Sequence, residues 1–320
     1  MDQKLGAGQV VKYSHKTWTN KRVQVKNFKA ICILVLLIIS SGICSCNSTS
    51  QNTAAKDNAF SPLIGVCTSI RNGSKLRADG YAYVEESVGR FLVPKESEEK
   101  FAEKFTRFKE ADFPIYACNS FLPSSLKSVG PDPRHDEIIA YSETAFSRAS
   151  RAGIEIIVFG SSGSRGVPKG FEREKAKEQF VQLLKRMGPV ARRFDIFVCV
   201  EPLNRGECNF INSLSEGAQI VSLVDHPNIR LVADFYHMAR EGEGPDEVIK
   251  AGQYLRHCHI AENKGRTPPG KAKDDFTGYL QALKQINYKG GISVECRWED
   301  FDEELGIAIA YMKEQIRLVN

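Results

Sequence analysis

The sequence predicts a (β/α)8 TIM barrel, a parallel sheet closed on itself and ringed by helices. Three observations predict it. From Leu63 onward, short apolar runs rich in β-branched residues alternate with longer stretches of helical periodicity; the runs number eight; and they occupy roughly 250 residues, the size and count of that fold. A hydrophobic fraction of 42% in 320 residues is enough for one sizeable packed core.

Taken in order, the first strand is expected at 63–69 (LIGVCTS) and the second at 81–85 (YAYVE). The second is the least regular, because YAYVEESVGR can also open a helix. A helix over 97–110 leads to strand three at 115–121 (IYACNSF), and one over 136–152 to strand four at 154–160 (IEIIVFG). The longest helical stretch, 172–193, precedes strand five at 196–201 (IFVCVE), and 215–224 precedes strand six at 229–234 (IRLVAD). A short helix over 245–251 leads to strand seven at 255–261 (LRHCHIA). The crossover to strand eight, 292–296 (ISVEC), is a helix over 274–286 in which Phe276, Leu280 and Leu283 recur at helical spacing, as a face packed on a sheet requires. A helix over 302–318 closes the chain. An open doubly wound sheet is the alternative, but the turn after strand one lacks the Gly-rich phosphate-binding pattern of a dinucleotide fold. The glycines of GSSGSRG (160–166), after strand four, read as a tight turn, with Arg165 placed to reach a ligand.

Ahead of the barrel lie two further segments. Residues 1–46 read as an export leader: a basic stretch (Lys4, Lys12, Lys16, Lys21, Arg22, Lys26, Lys29) precedes ICILVLLIIS at 31–40, too short for a comfortable span and suited to a signal-peptide core. Ile43-Cys44-Ser45-Cys46 resembles a bacterial lipobox, which places the chain in the cell envelope, lipid-anchored at Cys46; a plain secretory signal or a single membrane anchor is the alternative. Residues 47–60 read as a solvated tether and 61–320 as the catalytic barrel. The net charge of +5 is inflated by the leader, so no nucleic-acid partner is inferred. Of the nine cysteines, Cys67, Cys118, Cys199, Cys258 and Cys296 sit within apolar strands as small hydrophobes, and no CxxC pair suggests zinc or redox chemistry.

Barrels build their sites at the carboxyl ends of their strands. The last four strands all end on side chains that can ligate a metal: Glu201, Asp234, His259 and Glu295. Alone, each carboxylate can be a helix cap and the histidine a core residue. In succession on strands about 4.8 Å apart they can converge on one ion. Two glutamates, an aspartate and an imidazole make an oxygen-rich set suited to Mn2+ or Mg2+, with Zn2+ and Co2+ as alternatives. His257 and His259 share one face of strand seven; His259 is nearer the rim and is taken as the ligand, leaving His257 one layer deeper.

The runs EPLNRGE (201–207), DFYHM (234–238), HCHIAEN (257–263) with RTPPG (266–270), and INYKGGISVE (286–295) resemble the metal-dependent ketose 3-epimerases, typified by D-tagatose and D-psicose 3-epimerases, within the xylose-isomerase-like superfamily. The resemblance is strong over 195–297. It implies Glu201, Asp234, His259 and Glu295 as metal ligands, Glu201 and Glu295 as an acid/base pair, and Glu207, His237 and Arg266 as substrate contacts. It also brings homo-oligomers into view, since relatives are often dimers or tetramers, although the sequence carries no interface signal. The chain departs from the pattern in the spacing of His259 to Arg266, and in Cys296-Arg297-Trp298 where the family has Pro-Phe, which is expected to alter the pocket wall.

The chemistry such a site performs is proton abstraction α to a carbonyl: adjacent carbonyl and hydroxyl oxygens chelate the ion, which stabilises the cis-enediolate, and one glutamate removes the proton that the other can return. Return to the opposite face epimerises a sugar; return to the neighbouring carbon isomerises it. The same abstraction from a 3-keto-glycoside bearing a β leaving group gives elimination, a lyase. A sugar-binding barrel without turnover is the third reading.

Overall fold

Eight parallel strands close into a barrel in sequence order, each bonded to the next and the last to the first. The computed structural model describes residues 59–320. The strands are β1 (Leu63–Cys67), β2 (Tyr83–Ser87), β3 (Ile115–Asn119), β4 (Ile156–Phe159), β5 (Phe197–Val200), β6 (Ile229–Asp234), β7 (Leu255–Ile260) and β8 (Gly291–Val294). Closure is made by β1 on β8, where Ile64 lies opposite Ile292 and Val66 opposite Val294.

The helices are α1 (Gly73–Asp79), α2 (Val88–Phe91), α3 (Glu98–Ala111), α4 (His135–Arg151), α5 (Ser162–Arg165), α6 (Arg173–Arg193), α7 (Leu214–Val224), α8 (Phe235–Glu241), α9 (Pro245–Ala251), α10 (Thr277–Gln285) and α11 (Phe301–Leu318). All seven expected helices form. The short α1, α2, α5 and α8 were not expected, because four to seven residues give too few turns for a periodic apolar stripe. The second strand runs two residues later than YAYVE suggests, which puts Glu85 in its middle.

Alternation along each strand sorts side chains between two apolar layers. Ala117, Ile156, Val158, Cys199 and Val232 fill the lumen. Their neighbours, including Cys118, Ile157, Phe159, Val198 and Val200, face outward into the larger core beneath the helices. The six cysteines of the described chain are all free, and Cys118, Cys199, Cys208 and Cys258 are buried among these layers.

The expected leader and the tether up to residue 58 lie outside the described residues. At the start of the described chain Phe60 packs into the core, and its N–H donates to Asn320 Oδ1 at 2.8 Å while Asn320 Nδ2 donates back to its carbonyl. Among the described residues no helix is long and apolar enough to cross a membrane.

Candidate metal and acid/base site

At the carboxyl ends of β5 to β8 the chain delivers four ligating side chains to one point. Glu201 follows β5 directly, Asp234 is the last residue of β6, His259 lies next to last in β7, and Glu295 follows β8. Register explains the convergence: Asp234 pairs with His259, and His259 with Ser293, two residues short of Glu295. One ligand atom from each of Glu201, Asp234, His259 and Glu295 lies within 4.8 Å of all the others. His259 Nδ1 is 2.8 Å from Glu201 Oε1, 3.2 Å from Glu295 Oε2 and 3.9 Å from Asp234 Oδ2. Three carboxylates and one imidazole nitrogen around a single point fit an oxygen-preferring divalent ion.

Each side chain is held from behind. Asp234 divides its oxygens: Oδ1 caps α8 by accepting from the N–H groups of Tyr236 and His237 at 2.8 and 3.2 Å, and Oδ2 faces the site. Helix cap and candidate ligand are thus one residue. His259 is fully buried, and its Nε2 is 3.0 Å from Glu85 Oε1 on β2. Burial opposes charge on this imidazole, but Glu85 and Glu295 outweigh it and hold the histidine well above its ordinary range in the absence of an ion. Burial likewise works against the Glu295 carboxylate, and His259 and Arg266 overcome it, holding that group well below the usual range.

Arg266 anchors the other side. Its Nη2 donates to Glu295 Oε2 at 2.6 Å, its Nε to the Glu295 carbonyl at 3.2 Å, and its Nη1 approaches Glu207 Oε1 at 3.4 Å. Its guanidinium carbon lies 4.7 Å from the centre of the Tyr236 ring. Arg266 thus lies at the site despite the departure in its spacing from His259. His237 is buried on α8, and its Nδ1 accepts from Asn204 Nδ2 at 2.8 Å, which leaves the proton on Nε2. That nitrogen is 3.5 Å from Asp234 Oδ2. Glu207 accepts from Asn204 Nδ2 at 3.1 Å. The four expected ligands and the three expected substrate contacts thus gather at one end of the barrel.

Beside them opens a cavity of about 300 Å³, lined in part by Glu201, Glu207, His237, Arg266 and Glu295. Ser120, Ser124, Ser161 and Ser162, from the segments that follow β3 and β4, add hydroxyl groups to its lining. Asn119, at the end of β3, donates to Glu295 Oε1 at 3.3 Å. Gly160 follows β4 where a Cβ would overlap Glu201 Oε2, so the carboxylate occupies space only glycine leaves free.

Three details differ from expectation. Arg165 does not reach into the cavity: α5 turns it inward, fully buried, to donate to the carbonyls of Phe159 at 3.1 Å and Glu201 at 2.5 Å. Arg297 is exposed and Trp298 packs edge-on against Phe301, and neither is among the residues lining the cavity. Glu85, which sequence reasoning passed over, is buried at the heart of the site; the only signal was two acidic residues within an apolar strand.

The model of the xylose isomerase-like TIM barrel family matches residues 74–316. A D-psicose 3-epimerase of Ruminiclostridium cellulolyticum is 32% identical over 128 residues, 40% of this chain and 43% of that protein. A 3-dehydro-D-guloside 4-epimerase of Escherichia coli is 32% identical over 115 residues, 36% of this chain and 44% of that protein. The aligned stretches thus span less than half the length of these two relatives. The structure of a D-allulose 3-epimerase from Methylomonas sp. in complex with D-allulose superimposes with a TM-score of 0.68, at 23% identity, covering 80% of this chain and 99% of that one, a likeness of fold. With three quarters of its length matched by the family model, and eight strands closed in the corresponding order, the chain belongs to the xylose isomerase-like TIM barrel family.

Proposed function

We propose that the protein is a divalent-metal-dependent sugar isomerase or epimerase that moves a proton α to a carbonyl, with Glu201 and Glu295 as the acid/base pair. The observation that carries this reading is the meeting of these two carboxylates with Asp234 and His259 at one point beside a polar cavity. Glu201, Asp234, His259 and Glu295 would hold the ion, Mn2+ before Mg2+, Co2+ or Zn2+ from the preponderance of oxygen. A bound ion would act as a Lewis acid, stabilising the negative charge that develops on the carbonyl oxygen.

The protein's own groups do the rest. Glu201 and Glu295 enter from strands three apart around the barrel, so a carbon held between them can lose its proton to one and regain it from the other. Asn119 and Arg266 donate to the two oxygens of Glu295 and fix its aim. Arg165 fixes the backbone of Glu201. His237, with its proton on Nε2, serves as donor to a substrate oxygen, and Glu207 and Arg266 bind hydroxyl groups.

Names of the relatives support a keto-sugar substrate, ketose or 3-dehydro-glycoside. The serine lining favours the second, since it offers hydroxyls to a ligand extending past the reacting carbons. Export and lipidation at Cys46, proposed from the leader, would place the enzyme among glycosides of the cell envelope. On such a substrate β-elimination competes with epimerisation. The test is incubation of the metal-loaded protein with ketohexoses and 3-keto-glycosides, followed by product identification. An epimer or isomer supports the main reading; release of the aglycone identifies a lyase; binding with neither leaves a sugar-binding barrel.

A further inference from the structure

Beneath the candidate metal ligands lies a buried carboxylate to which the proposed reaction gives no part. Glu85, on β2, is 1% exposed and accepts hydrogen bonds from three side chains. His257 Nε2 lies 2.7 Å from its Oε2, His259 Nε2 lies 3.0 Å from its Oε1, and the Ser293 hydroxyl donates to Oε2 at 2.7 Å. Tyr83 OH, 3.0 Å from Ser293 Oγ, extends the network towards the lumen. An ionised carboxylate only accepts, so both histidines must present Nε2–H to it. A neutral imidazole with its proton on Nε2 has its lone pair on Nδ1, and Nδ1 of His259 is the atom that faces Glu201, Asp234 and Glu295.

We propose that Glu85 is the positioning residue of the site: it orients His259 and fixes its tautomer, so that Nδ1 is the nitrogen offered to the ion. The inference rests on the metal-binding reading. Such outer carboxylates raise the basicity of a ligating histidine, and their loss typically weakens metal affinity about 10- to 100-fold. Glutamine is the discriminating replacement. It is nearly isosteric, but His259 Nε2 lies 3.0 and 3.1 Å from the two carboxylate oxygens, so either placement of the amide sets an NH2 donor against the His259 Nε2–H. That donor-to-donor contact disfavours a proton on Nε2 of His259 and loosens the hold on its ring.

Two measurements test the proposal. In the wild-type full chain labelled with 15N-histidine and loaded with Zn2+ alone, nuclear magnetic resonance is expected to show His259 protonated at Nε2 and ion-bound through Nδ1; the reverse assignment overturns it without any mutation. Competition with a chelator is expected to show Zn2+ affinity falling about 10- to 100-fold in Glu85→Gln. Ser293→Ala, which removes another donor to the same carboxylate and leaves the tautomer alone, is expected to keep wild-type affinity. Unchanged affinity in Glu85→Gln, or an equal loss in Ser293→Ala, overturns the inference while leaving the metal site standing. A wild-type protein that takes up no ion overturns both.

Discussion

His257 and His259 stand two residues apart on one face of β7, and depth alone separates them. His257 lies among Tyr83 and Tyr116, with ring centres 6.5 and 6.2 Å away, while His259 reaches the rim carboxylates. That distinction was legible, because a period of two and a strand direction give both face and depth. Glu85 was not legible: its role depends on a partner 172 residues away, and the strand holding it starts later than its apolar run suggests. Arg165 was misread for a related reason, since a Gly-Ser loop looks ligand-facing until a turn of helix rotates its arginine inward. Gly160 shows what the space around a carboxylate demands. In Gly160→Ala, displacement of Glu201 is expected to lower turnover about 10²-fold while the protein remains folded. Turnover and thermal melting of the same preparation check this, and full activity would show that Glu201 has room to spare.

Loops carry much of the site, and one buried residue organises the loop that carries Arg266. Glu262, fully buried just after β7, accepts from the N–H groups of Gly270, Ala272 and Lys273 and from the Thr267 hydroxyl. Glu262→Ala leaves those donors without their acceptor and is expected to cost on the order of 3 kcal/mol or more, measured by denaturant unfolding. Activity should fall with it, because Arg266 adopts a left-handed φ of 55° that only the ordered loop sustains. Two residues past α8, Glu243 accepts from the Leu214 N–H at the start of α7 at 2.9 Å. Burial raises its carboxyl from 4.5 to about 7 despite that hydrogen bond. Because the folded value lies above the unfolded one, its stabilising contribution is present at low pH and lost as pH rises through about 7. Glu243→Gln is therefore expected to raise the melting temperature at about pH 8 and change it little at about pH 5. Equal destabilisation at both would show that the charged form is the favoured one. The periodic helices were readable as elements because they bury one stripe; α8 was not, since its start is set by the Asp234 cap rather than by any pattern in FYHMARE.

For the whole molecule, alternation and count were enough to read a closed barrel, and the strand ends were enough to read which four side chains meet at its rim. Closure itself, β1 on β8, comes from pairing that no local pattern encodes. The leader adds a cellular expectation: Cys46→Ser is expected to move the protein from the membrane fraction and abolish labelling by a radioactive fatty acid, whereas unchanged partitioning would point to another anchor. The central claim is that Glu201 and Glu295 exchange a substrate proton at a metal-holding site. Its most direct test is deuterium uptake from D2O at the carbon α to the carbonyl of a keto-sugar substrate, followed by nuclear magnetic resonance with metal content measured on the same samples. The wild-type protein is expected to exchange that proton and Glu295→Gln to bind the sugar without exchange; exchange at the wild-type rate in Glu295→Gln would contradict the account.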